Sequence, residues 1–304
     1  MNHFTKLLIP FIQGTCISSR AHVNHATHVN HATHVNHATH VACLSRKHPM
    51  DKPLTGKTAV VTGAGRGIGA TIASALVAQG ARVALIGRDL ARLQAQAKDM
   101  PDALTVCADI SDETAVAAAF KTILARFAGI DILVNNAGQA VSAPFGKTGT
   151  DVWNAMLGVN LTGTYLCSRE VLPGMLARRS GRIVNIASTA GLKGYAYVAA
   201  YCAAKHGVIG LTRALALETA KSGVTVNAVC PGYTETDIVA GALANIVAKT
   251  GKSETEARAV LTAGNPQGRM VQAAEVANAV MWLLLPGSEA ITGQSIAVAG
   301  GELM

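Results

Sequence analysis

From Leu54 onward, short apolar runs recur along the chain: "TAVVT" (58–62), "ARVALIG" (81–87), "ALTVCA" (103–108), "DILVN" (131–135), "GRIVNIAS" (181–188), "VTVNAV" (224–229) and "SIAVAG" (295–300). They are rich in Val and Ile and nearly continuous in apolarity instead of alternating. Strands covered on both faces by helices show this pattern. Between them lie helix-like spans, including 67–79, 112–127, 150–177, 200–221 and 273–285. Repeated strand–helix alternation predicts an α/β fold, a single doubly wound parallel sheet with helices on both faces. Ligands in such sheets sit at the carboxyl ends of the strands, so functional motifs should follow strands directly.

They do. After the first run comes "TGAGRGIGA" (62–70), with Gly63, Gly67 and Gly69 spaced to allow a tight turn. Such a turn admits close backbone approach to a pyrophosphate and aims the next helix N-terminus at the anion, with Arg66 and Ile68 inside the loop. The sheet is then Rossmann-like and its ligand a dinucleotide. The second run ends "VALIGRD" (83–89), where Gly87 stands in the position of a ribose-binding acid and Arg88 follows it. An arginine there meets a 2′-phosphate, so NADP(H) is favoured over NAD(H), with Arg66 as a second cation nearby. The alternative for Arg88 is a helix-start residue beside a capping Asp89. "ADIS" (108–111) places Asp109 and Ile110 after the third run, with Asp109 suited to the adenine amino group. "NNAG" (135–138) follows the fourth, offering Asn136, Ala137 and Gly138 where cofactor passes close to backbone.

Chemistry centres on "YCAAK" (201–205). Residues four apart share a helix face, so Tyr201 stands beside the Lys205 ammonium. A phenol titrates near pH 10, and a neighbouring cation is expected to lower it by about 1–3 units, making Tyr201 a usable general acid or base. Lys205 can also hold ribose hydroxyls. Ser188 ends the fifth run, placed to polarise a carbonyl. Asn160, in "LGVNLTG", falls on a helix flanking the cleft and is expected to hold a water that relays protons toward Lys205.

Composition narrows the picture without redirecting it. The chain has 304 residues, half of them apolar, and no run reaches the roughly 18 residues that would span a bilayer. The longest, "ANAVMWLLLP" (277–286), stops at Pro286 and is read as a buried helix. Net charge is +8, of which residues 1–49 supply +4 through Lys6, Arg20, Arg46 and Lys47 with no acid. The surplus left in the body is spread without a cluster and predicts no nucleic-acid face. Cys107, Cys167 and Cys230 lie in apolar contexts and are read as reduced core residues, which suits a cytoplasmic location.

Residues 22–39 are three copies of "HVNHAT". This stretch has no apolar periodicity and cannot build a core. Residues 1–49 are therefore read as a disordered His-rich extension outside the native domain, of the kind that repeated DNA upstream of a start at Met50 would encode. A targeting peptide, which would redirect the protein to mitochondria, and a metal-binding tract are the alternatives. Residues 50–304 form the dinucleotide-binding domain. The stretch 234–266, helix-prone and proline-free between Thr236 and Pro266, is expected to form a helical lid over the substrate.

Taken together, "TGAGRGIG" (62–69), "NNAG" (135–138), Asn160, Ser188, "YCAAK" (201–205) and "NAVCPG" (227–232) resemble the single-domain type of the short-chain dehydrogenase/reductase family, in family order and across residues 54–304. The resemblance implies a catalytic tetrad of Asn160, Ser188, Tyr201 and Lys205, no metal in the chemistry, and a homotetramer. It also implies that Pro231, Gly232 and Thr234 border the nicotinamide. Within the family the chain looks most like 3-oxoacyl thioester reductases, including polyketide ketoreductases. The implied substrate is a small carbonyl or hydroxy compound linked to coenzyme A or to an acyl carrier protein, with no nucleic-acid or membrane partner. Gln139, Ser142, Lys193, Tyr195 and Tyr197 are expected to face the pocket, although either tyrosine would serve equally as a core or tetramer contact. An alcohol, 3-hydroxybutyrate or hydroxysteroid dehydrogenase uses the same four residues and is the alternative. A non-catalytic dinucleotide-binding regulator is the remote one, disfavoured because all four residues are present.

Overall fold

A computed structural model describes residues 52–304; the expectations placed on residues 1–49 lie outside the described residues. The strands are β1 (Thr58–Thr62), β2 (Arg82–Gly87), β3 (Leu104–Cys107), β4 (Ile132–Asn135), β5 (Gly181–Ile186), β6 (Val224–Pro231) and β7 (Ser295–Val298). All pairings are parallel, in the order β3-β2-β1-β4-β5-β6-β7. The chain therefore winds outward in one direction from β1 and in the other from β4. Their carboxyl ends open the crevice at which such sheets bind ligands.

Each strand feeds two cores by simple alternation. Ala59, Val61, Val83, Leu85, Ile132 and Val134 point to one face, under α1 (Gly67–Ala78) and α9 (Ala273–Leu284). Val60, Ala84, Ile86, Leu133 and Ile183 point to the other, under α3 (Glu113–Phe127), α5 (Gly163–Arg178) and α6 (Ala199–Thr219). With both faces covered, alternation in burial disappears and the apolar run becomes continuous.

Two elements depart from the expected layout. The helix anticipated over 150–177 is two helices, α4 (Thr150–Leu157) and α5, joined by a π-helical turn at Gly158–Thr162. A short helix, α2 (Leu90–Ala97), follows β2, its first turn capped by Asp89, which accepts from Arg92 N at 3.1 Å. Cys167 and Cys230 are buried thiols as expected, but Cys107 is exposed. It ends the edge strand β3, where its Sγ donates to Arg88 O at 3.5 Å.

Within 234–266, α7 (Asp237–Thr250) and α8 (Glu254–Thr262) share a small core of their own built on Val239, Leu243, Ala257 and Met270. Ser253 and Glu256 exchange side-chain-to-backbone bonds at the head of α8, a capping box that fixes where this helix begins. No helix among the described residues is long and apolar enough to cross a membrane.

Candidate active site

The glycine loop is held from behind. Asn136 donates its Nδ2 to the carbonyls of Thr62 (2.9 Å) and Gly63 (3.2 Å), while Thr62 Oγ1 accepts from the backbone N–H groups of Asn136 and Ala137, both at 3.0 Å. Gly63 has φ +65°, and a Cβ there would lie 2.7 Å from Ala137 Cα, so only glycine lets the β1 loop and the β4 end meet. Asn136 is thus a clamp on the loop, with its amide committed to backbone. Ile68 packs against the core under α1, and Ile110 is buried with its side chain against Gly163 of α5. Both apolar side chains thus help anchor the segments expected to meet the cofactor. The segment after β6 folds back over the loop. Thr234 Oγ1 donates to Gly232 O at 3.0 Å, and the Thr236 methyl lies 3.3 Å from the position of a Gly67 Cβ.

At the inner end, the turn after β5 and the first turn of α6 bring Ser188, Tyr201 and Lys205 together. Lys205 is 4 % exposed and donates one N–H to Ile186 O at 2.8 Å. An ammonium has three donors, and this is its one hydrogen bond among the described residues. Its Nζ lies 5.6 Å from the Tyr201 ring centroid. Asn160, wholly buried on the π-helical turn, donates to Gln139 O and Met156 O at 2.9 Å each and receives Gln139 N at 3.3 Å. Both amide hydrogens and one lone pair of Oδ1 are thus engaged by backbone, which pins the loop after β4 against α4. A Cβ on Gly138 would stand 2.7 Å from Asn160 Oδ1 and 3.7 Å from Lys205 Nζ, so these two groups face the same small space.

The titration of the pair differs from the expectation. Burial pushes the Tyr201 phenol up to about 12, with a hydrogen bond to Ser188 pulling against it; the lysine does not dominate. Burial also drives the Lys205 ammonium down to about 8. Both groups favour their neutral forms more than they do in water, because desolvation of the charged form outweighs a cation stationed over the ring at this range.

At the outer end, Arg88 is 69 % exposed, with Nη1 3.8 Å from Asp109 Oδ2. Partial burial of Asp109 works upward on its carboxyl, but bonds from Ser111 and the Arg88 charge leave it below the ordinary value. Arg66 is already paired, its Nη1 donating to Asp237 Oδ2 at 2.9 Å.

Several residues escaped the sequence reading. Asn135 donates to Ser168 Oγ (3.0 Å) and to Asn185 Oδ1 (2.9 Å), and Asn185 donates to Thr212 Oγ1 (2.9 Å). This buried ladder ties β4 and β5 to α5 and α6 and so sets the height of Tyr201 and Lys205; an asparagine inside each of two apolar strands was the available signal. Glu302, its side chain 5 % exposed, accepts from Tyr195 Oη at 2.5 Å and pairs with Lys193 Nζ at 3.1 Å. Tyr195 also bonds Thr189 Oγ1 at 2.7 Å, beside Ser188. Nothing local in "GGELM" announces this contact, which joins the chain's last turn to the loop after β5. Lys193 and Tyr195 are partly buried here, whereas Ser142 and Tyr197 are exposed. Tyr197 is left-handed (φ 67°) and its carbonyl receives Ala143 N at 2.8 Å.

The residues present fit a dinucleotide: a glycine cradle that a Cβ would fill, a buried ammonium with donors to spare, and arginines at the far end. The short chain dehydrogenase family matches residues 57–246. This chain belongs to that family. It is 41 % identical over 250 residues to ketoacyl reductase 1 of the granaticin polyketide synthase of Streptomyces violaceoruber, covering 80 % of this chain and 92 % of that one. It is 39 % identical over 254 residues to the 3-oxoacyl-(acyl-carrier-protein) reductase of Vibrio harveyi, covering 83 % and 99 %. Among solved structures, a variant of actinorhodin polyketide ketoreductase with NADPH superposes with a TM-score of 0.78 at 39 % identity, covering 81 % and 97 %.

Proposed function

We propose that this short-chain dehydrogenase reduces the 3-oxo group of an acyl thioester to the 3-hydroxyacyl form with NADPH. The observation that carries the reading is the convergence of Ser188, Tyr201 and Lys205 at the carboxyl end of β5, beside the glycine cradle and within a chain whose relatives include ketoacyl reductases. Gly63, Gly67 and Gly69 would take the pyrophosphate, Asp109 the adenine, Arg66 and Arg88 the 2′-phosphate. Ala137, Gly138, Pro231, Gly232 and Thr234 would line the path to the ring, and Lys205 would take the ribose hydroxyls.

Nicotinamide bound there supplies the hydride. Tyr201 supplies the proton. A phenol pushed up to about 12 is almost wholly protonated near neutrality, which suits a general acid poised to donate to a carbonyl oxygen. Ser188, already bonded to that phenol, steadies the negative charge that develops on the oxygen. Lys205, near its midpoint at about pH 8, can return a proton to Tyr201 and be recharged through the space it shares with Asn160. Asn160 Oδ1, which accepts one bond and faces that space, would hold the relay water on its second lone pair. α7 and α8 would close over the acyl chain. The thioester carrier is coenzyme A or an acyl carrier protein, and the assembly a homotetramer, as the family resemblance implies.

Steady-state turnover of acetoacetyl-CoA with NADPH and with NADH tests this. The expected result is 3-hydroxybutyryl-CoA formation with kcat/KM at least about tenfold higher for NADPH. Absence of thioester reduction, with turnover of simple secondary alcohols instead, would overturn the substrate; preference for NADH would overturn the cofactor.

A further inference from the structure

Three arginines crowd the outer end of the cleft: Arg66 in the glycine loop, Arg88 after β2, and Arg92 in the first turn of α2. Each faces an acid. Arg88 lies 3.8 Å from Asp109, Arg92 Nε lies 3.0 Å from Asp89 Oδ2, and Arg66 Nη1 lies 2.9 Å from Asp237 Oδ2. Arg92 Nη1 also reaches to 3.9 Å of that same Asp237 oxygen. One carboxylate oxygen is therefore flanked by guanidinium groups from two different elements. A phosphate monoester binding two arginines would seek such a place.

The cluster holds three cations and three carboxylates, so a dianionic group entering it must displace an acid. The three acids are not equally free to leave. Asp89 caps α2 by accepting from Arg92 N. Asp109 accepts from Ser111 N at 2.9 Å and Ser111 Oγ at 2.7 Å. Asp237 has no such anchor: among the described residues, its carboxylate meets only the two arginine side chains. It is also the first residue of α7, the helix that begins the lid.

We infer that Asp237 is an internal stand-in for the phosphate, a specificity-determining residue that yields its two arginines to a 2′-phosphate and thereby couples that phosphate to the first turn of α7. Arg92 becomes the third member of the phosphate site. The inference rests on the NADPH reading above. A phosphate monoester carries about −1.5 to −2 charge against −1 for a carboxylate, so it wins the exchange. The pairs being exchanged are exposed and individually weak. The competition should therefore shift affinity by about three- to tenfold and no more.

The test uses the full chain and two ligands that differ only in the phosphate concerned, 2′,5′-ADP and 5′-AMP, titrated by calorimetry into wild type, Asp237→Asn and Arg92→Gln. Neither ligand carries nicotinamide, so the readout is binding alone. Wild type should bind 2′,5′-ADP more tightly. Asp237→Asn should strengthen 2′,5′-ADP by about three- to tenfold with little change for 5′-AMP, and Arg92→Gln should weaken it by a similar factor. Hydrogen exchange at the start of α7 should quicken in wild type with 2′,5′-ADP and not with 5′-AMP. Unchanged 2′,5′-ADP affinity in Asp237→Asn, or equal strengthening of both ligands, overturns the inference while the NADPH reading stands. Wild type with no preference for 2′,5′-ADP overturns both.

Discussion

At the inner end of the cleft, Lys205 is 4 % exposed and Asn160 is wholly buried, each held by backbone carbonyls, whereas at the outer end Arg66 and Arg88 leave more than half their side chains in water. The inner groups answer to desolvation. Tyr201 and Lys205 are both driven toward neutrality, and one atom removed there changes what chemistry is possible. The outer groups answer to one another. Their charges are compensated, screened by solvent and spread over six side chains, so one change there is absorbed by the rest. Chemistry is concentrated at one end, and preference is distributed at the other.

The sharpest way to break that contrast is at the phenol. Tyr201→Phe deletes one oxygen and keeps the packed ring, so turnover should fall by about three orders of magnitude while dinucleotide affinity stays within about twofold. Stopped-flow hydride transfer and fluorescence titration measure the two. A variant that retains even a tenth of wild-type turnover would mean the inner end is as redundant as the outer one.

Lys205→Met should separate function from stability. Burial lowers the folded-state pKa from 10.5 to about 8, so the native state carries a penalty for its charged lysine. The penalty is full below about pH 8, where lysine is charged in both folded and unfolded chains. It fades as pH rises and is gone above about 10.5, where neither is charged. The methionine variant should therefore lose turnover by about two orders of magnitude yet gain up to about 3 kcal/mol of stability at pH 7. The gain is reduced by the lost bond to Ile186 O and vanishes toward pH 10.5. Thermal melts at pH 7 and pH 10.5 check this. Wild-type ketone reduction should likewise decline as pH rises through about 8. A variant less stable at pH 7 would show that the hydrogen bond outweighs desolvation.

This contrast also explains what the sequence made legible. All the anticipated strands formed, with ends within three residues, because a sheet covered on both faces writes itself as unbroken apolar runs. Ser188, Tyr201 and Lys205 were likewise visible, since helical spacing and strand ends place them directly. The π-helical turn at Gly158–Thr162 was not. It is set by Asn160 reaching Gln139 and Met156 backbone, a tertiary demand with no periodic signature. The direction of the Tyr201 shift was missed because spacing reports that an ammonium is near but not how dry the pocket is. At the outer end, counting cations found Arg66 and Arg88 but could not show that Asp237, 171 residues along the chain from Arg66, already neutralises one of them.

Arg88→Asp offers the smallest effect and the finest test of the distributed end. Arg88 is the most exposed of the three arginines, and its 3.8 Å contact with Asp109 is the loosest of the three principal pairs. Reversing its charge removes one favourable partner for a 2′-phosphate and sets a second carboxylate beside Asp109, but it leaves Arg66 and Arg92 in place. The ratio of kcat/KM for NADPH over NADH should therefore fall by about tenfold, mostly through KM, with kcat little changed. A fall of a thousandfold would mean that Arg88 alone holds the phosphate and that the outer end is as concentrated as the inner. An unchanged ratio would assign selection to Arg66 and Arg92, the two arginines that Asp237 bridges.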